Sequence, residues 1–138
     1  MAYELIWEPD GIHKQFSGFV TGREFIESVE NVQADPSYDD IRYVINDFSE
    51  VNGHEVSEDV LVQLAAINYG AYSSNPNCRI AFVTKDDEFA HRIKKTLMAP
   101  DLISYQTEVC PSVPDARDWL DSQPKLQTLS NVMGFIDR

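Results

Sequence analysis

The chain has 138 residues, 43% of them hydrophobic, which is enough for one domain with one hydrophobic core. Its 23 acidic residues against 11 basic ones leave a formal charge of −12, a field that repels nucleic-acid backbones and anionic lipid. Two cysteines make no disulfide framework, the start lacks the basic and apolar regions of a signal peptide, and no apolar run can span a bilayer. A reducing, cytoplasmic setting is therefore expected, with no nucleic-acid or membrane partner. The bases are unevenly spread, with Arg92, Lys94 and Lys95 close together.

Residues 3–8 alternate, with Tyr3, Leu5 and Trp7 on one side and Glu4, Ile6 and Glu8 on the other, the period of a half-buried strand. Pro9-Asp10-Gly11 is a turn, since proline pre-sets its own φ and glycine accepts a positive one. A second alternating strand sets Ile12, Lys14 and Phe16 against His13, Gln15 and Ser17, so the chain opens with a predicted hairpin. Residues 18–22 bridge into a helix that Thr21 and Glu24 start with a capping box. Phe25, Ile26, Val29 and Val32 form its apolar stripe, and Asp35-Pro36 ends it.

Residues 41–48 read as the third strand, apolar on both sides at Tyr43, Val44 and Ile45, and a polar loop follows. Ser57 caps a second helix marked on one side by Val60, Leu61, Leu64, Ala65, Asn68 and Tyr72. Ile80, Ala81, Phe82 and Val83 form a short buried strand, after which Thr84 is expected to cap a third helix carrying Phe89, Ala90, Ile93 and Leu97. Pro100 stops that helix, residues 103–109 alternate as an edge strand, and Ser112 caps a fourth helix with Ala116, Trp119 and Leu120 inward. The order β-β-α-β-α-β-α-β-α predicts an α/β fold with a mostly parallel five-stranded sheet and an antiparallel N-terminal strand. In serial strand order the crossover helices gather on one face, and something else has to cover the other. Two units are expected: a domain over residues 1–121 and a C-terminal helical extension over 122–138, whose Leu126, Leu129, Val132, Met133 and Ile136 recur at helical spacing.

No catalytic or cofactor motif stands out. Residues 18–22 lack the spacing and the lysine of a phosphate loop, and His54 with Glu58 lies across a helix start, so neither a metal nor a cofactor is expected. His13 and His91 read as exposed. Cys78 and Cys110 sit at strand edges as partly buried thiols, and Cys110 has no histidine or second thiol beside it in sequence.

The opening hairpin, Gly18-Phe19-Val20-Thr21-Gly22-Arg23-Glu24-Phe25, Tyr43-Val44-Ile45-Asn46-Asp47-Phe48, Arg79-Ile80-Ala81-Phe82-Val83-Thr84 and Asp115-Ala116-Arg117-Asp118-Trp119-Leu120 occur in that order. In this the chain resembles the small bacterial proteins with a SpoIIAA-like fold, related to the STAS and CRAL-TRIO/Sec14 domains, over about residues 3 to 121. The resemblance implies a βα superhelix and a non-enzymatic role. STAS domains are protein-interaction modules, often switched by phosphorylation near a helix start, whereas Sec14-like domains hold lipids or other apolar ligands. On the first pattern Asp47, Ser49 and Ser57 mark a regulatory loop. Ser57 is the closer match to the phosphorylated position, although the usual Asp-Ser-x-Gly is missing and Glu58-Asp59 follow it. On the second, Tyr69, Tyr72, Phe89 and Ile93 would line a ligand cleft or belong to the core. The expected function is a non-catalytic regulatory or interaction domain with a protein partner or a second copy. The alternative is a carrier of a small apolar ligand between helices and sheet.

Overall fold

The computed structural model describes residues 2–99 and 105–123. Strand β1 (Tyr3–Trp7) runs antiparallel to β2 (Gly11–Val20), with Tyr3 opposite Phe16 and Trp7 opposite Ile12. Helix α1 (Gly22–Ala34) and a 3-10 turn (Pro36–Asp40) lead into β3 (Tyr43–His54). Then come α2 (Glu58–Ala71), β4 (Arg79–Val83), α3 (Asp87–Leu97), β5 (Gln106–Cys110) and α4 (Val113–Ser122). The strands are parallel from β2 onward, as the sequence predicts, and they lie in the serial order β1-β2-β3-β4-β5, which the sequence leaves open.

The local signals decide where most helices begin. Thr21 and Glu24 close a full capping box, Ser57 accepts from the Val60 amide at 3.3 Å, and Ser112 accepts from the Asp115 amide at 3.2 Å. At α3 the expectation fails. Asp86, not Thr84, is the cap and accepts from the Phe89 amide, while the Thr84 hydroxyl accepts from the Asp86 amide one turn earlier. The carboxylate prevails because it offers the helix N-terminus a charge as well as an acceptor.

Two further boundaries move. Strand β2 runs on to Val20, and the segment after Phe48, expected as a loop, continues β3 to His54. The two extensions pair with each other, Ser17 with Glu50 and Val20 with His54, so each supplies the ladder partners that its own sequence does not advertise. Register slips twice along this pairing, and Gly18, at φ +66°, takes up the irregularity.

Helices α1, α2 and α3 cover one face of the sheet. Phe25, Leu61, Phe89 and Ile93 pack there against Ile12, Phe16, Val44, Ile80 and Phe82 in the main core. Helix α4 covers the other face over the later strands, where Ala116, Trp119 and Leu120 meet Ile45, Ala81, Val83 and Cys110. The helix expected over residues 122–138 lies, beyond residue 123, outside the described residues, as does the strand start expected at Ile103.

Candidate functional site

Midway along β3, Asp47 is almost wholly buried, and its Oδ2 lies 2.8 Å from His13 Nε2 on β2. Its Oδ1 accepts from the Ser49 amide at 2.9 Å. Burial pushes the Asp47 carboxyl up, but the hydrogen bonds from Ser49 and His13 outweigh it and hold the group below its ordinary range. His13 is thus not an exposed residue. It is half-buried, because residues at odd positions on β2 and β3 share a face and the strand register brings the two side chains together. Asp47 and Ser49 therefore form one unit. Ser57 stands apart from it: its exposed hydroxyl caps α2, and no hydrogen bond joins it to Asp47 or Ser49.

The surroundings of Ser57 come from α3. Lys95 Nζ pairs with Glu58 Oε2 at 3.1 Å, and Arg92 donates to the Val56 carbonyl at 3.1 Å. His54 packs on Phe89 with ring centroids 4.2 Å apart and accepts at Nδ1 from the Val56 amide, which leaves its Nε2 proton facing Asp86 Oδ2 at 3.8 Å. Burial lowers the His54 pKa, against the opposing pull of Asp86. Among the described residues no three His, Cys, Asp or Glu side chains converge as metal ligands.

The four aromatic and apolar residues expected at a ligand cleft separate. Phe89 and Ile93 are fully buried core, Tyr69 is 65% exposed, and Tyr72 lies at the end of α2 with its ring 5.5 Å from Tyr105. Between α1, α2 and the sheet there is a chamber of about 20 Å³, room for a water and little more. Lys14, Asn46, Gln33 and Asn68 line it, and Gln33 donates to Asn68 across it at 3.1 Å. Sequence reasoning passed over Lys14, which is only 1% exposed. The signal was present in the strict alternation that puts it beside Ile12 and Phe16. Its Nζ stands 5.4 and 5.1 Å from the rings of Phe16 and Phe25, and burial pulls its pKa down to about 7.

The larger pocket, about 580 Å³, opens at the amino-terminal end of β3 and β4. Arg42, Arg79 and Arg117 line it together with Asp10 and Asp121. Arg117 is held by a two-pronged pair to Glu8 at 3.0 and 2.8 Å, and the Tyr43 hydroxyl also donates to Glu8. Arg79 donates to Gln106 at 2.7 Å. With Glu8 counted the charges around this pocket balance, so it offers no excess of cation to an anionic ligand. Both cysteines are buried and free, and burial drives the Cys78 thiol up to about 12 and the Cys110 thiol in the same direction. Neither is a ready nucleophile.

No family profile matches the chain, and no curated protein does. Among solved structures it is similar to the anti-sigma factor antagonist SpoIIAA in its unphosphorylated form, with a TM-score of 0.58 at 9% identity, over 88% of this chain and 100% of that one. An uncharacterized Shewanella loihica protein with a SpoIIAA-like fold is also similar, with a TM-score of 0.48 at 17% identity, over 86% of this chain and 92% of that one. No helix among the described residues is long and apolar enough to cross a membrane. The serial βα arrangement and its match to SpoIIAA along that protein's whole length make the fold of this chain SpoIIAA-like.

Proposed function

We propose that this protein is a non-catalytic interaction domain that works through its surface by docking on a protein partner. The observation that carries the proposal is the packing between helices and sheet. Phe89, Ile93, Leu61 and Phe25 fill the place where a carried ligand would lie, and the chamber beside them is of the order of one water. A carrier needs an interior void of some hundreds of cubic ångströms for even a small apolar ligand. The His13–Asp47 pair also lacks a nucleophile, since among the described residues the imidazole bonds only to Asp47. SpoIIAA is an anti-sigma factor antagonist, a protein whose named role is exerted on another protein, and the shared fold supports the same kind of role here.

Ser57 is the position at which we place a regulatory phosphate. Its hydroxyl is exposed at a helix N-terminus, where the free amides favour an anion. Of the two carboxylates that follow it, Glu58 is already neutralised by Lys95. One experiment reads both ideas: native and intact-mass spectrometry of protein purified from its own source. We expect protomers free of any organic ligand, with a phosphate-modified fraction mapping to Ser57. A reproducible ligand mass on the protomer would sink the interaction proposal in favour of a carrier, and an absence of phosphate at Ser57 under all growth conditions would sink the switch.

A further inference from the structure

Helix α2 is apolar on both sides. Leu61 and Leu64 are buried against the sheet, yet Val62 and Tyr69 are 55% and 65% exposed, and Tyr72 just beyond the helix is 38% exposed. These are three of the five exposed large apolar side chains among the described residues. Val62, Ala66, Tyr69 and Ser73 follow one another at helical spacing, so the exposed residues form one stripe instead of scattered single positions. A surface helix ordinarily turns charged residues outward. Here residues 60–78 contain no charged residue at all, in a chain of net charge −12.

That charge pattern indicates what covers the stripe. Two copies of so acidic a chain repel one another across most of their surfaces. On the outer face of α2 they can meet without bringing carboxylates together. The stripe is also self-complementary. An antiparallel pairing centred on Ala66 sets Val62 of one copy against Gly70 of the other, where even an added Cβ would meet nothing within 4 Å. It also holds the acidic starts of the two helices, Glu58 and Asp59, at opposite ends of the contact. We propose that the outer face of α2 is the seat of a second copy of this chain, two α2 helices packing antiparallel about a two-fold axis near Ala66. The proposal rests on the surface-acting role argued above and names one such surface.

The test uses the full chain. Ala66→Cys places a thiol at the axis, and the native Cys78 and Cys110 are buried and so silent to mild oxidant. We expect a covalent dimer from Ala66→Cys and none from Ser37→Cys, an exposed position elsewhere. Sedimentation velocity should show a dimer that strengthens with salt as the repulsion is screened. Tyr69→Lys should weaken it on the order of tenfold or more. Phe19→Lys adds the same charge at another exposed apolar residue, on the β2–β3 extension, and should leave the dimer unchanged. A wild-type protein that stays monomeric at every concentration and salt overturns the proposal, as does a dimer indifferent to Tyr69→Lys. So does an Ala66→Cys chain that crosslinks to a different protein in preference to itself. Any of these leaves the interaction role standing, because that role fails only on a ligand mass in the protomer.

Discussion

Lys14 is the residue most at odds with its surroundings. It sits on the core side of β2 opposite Asn46 of β3, with aromatic rings beside its ammonium and no carboxylate bonded to it among the described residues. Asn46 Oδ1 has no donor among the described residues either. Desolvation lowers the folded-state pKa to about 7, below the unfolded value, so above that point the unfolded chain holds the extra proton. The sign follows: the cost of burying the charge is full below about pH 7 and shrinks as pH rises toward the unfolded lysine value. Lys14→Met keeps the length and removes the charge. It should stabilise the protein by roughly 1–4 kcal/mol near neutral pH. Urea denaturation between about pH 6 and pH 8.5 should show wild-type stability climbing toward that of the variant. A variant no more stable than wild type, or a gap that does not narrow with pH, would show that Lys14 finds compensation in its chamber.

The extended ribbon of β2 and β3 is the element whose existence hangs on a single backbone position. Gly18 alone among the described residues takes a positive φ, at a register slip between the two strands. A Cβ there would meet nothing within 4 Å, so a substitution is penalised by backbone conformation and not by crowding. Gly18→Ala should cost roughly 1–2 kcal/mol of stability. Hydrogen exchange should place the new flexibility in the paired residues 17–20 and 50–54, leaving the α2 amides protected as before. Equal loss of protection throughout the sheet would mean that the ribbon is not a separable unit. By contrast, α2 itself owes its start to an exposed serine and its place to one buried face, and its other face exposes Val62 and Tyr69.

At the scale of the whole molecule, serial strand order sends α1, α2 and α3 to one face and leaves α4 to close the other. Glu8 and Arg117 then join the end of the first strand to the last helix, 109 residues apart in sequence. The hydrogen bond from Arg117 holds the Glu8 carboxyl below its ordinary range, with Tyr43 adding to it. A depressed folded-state pKa contributes stability above the ordinary glutamate range and loses it as pH falls through the depressed value. Glu8 is about one-fifth exposed and Arg117 two-fifths, so solvent discounts the pair. We expect Arg117→Met to cost about 1 kcal/mol at neutral pH, a cost that shrinks in acid and in high salt. Thermal unfolding at two pH values and two salt concentrations checks this, and a cost independent of both would assign the effect to packing of the arginine stem.

By itself the sequence determined the features governed by neighbours within a turn or a strand step. These include the capping box of Thr21 and Glu24, the serine caps of α2 and α4, the alternation of β1, and the doubly apolar run of β4. Those suffice for the βα order and a mostly parallel sheet, because each signal is settled by contacts four residues away or fewer, but the order of the strands across the sheet does not follow from them. Tertiary structure decided whatever depends on partners brought from afar. The continuation of β3 past Phe48 needed the far half of β2, and His13 met Asp47 across 34 residues through strand register. Tyr69 stood at helical spacing that suits a core or a cleft equally well. Which side of α2 met the sheet was settled only when Leu61 and Leu64 took that place, and this turned Val62 and Tyr69 to the surface.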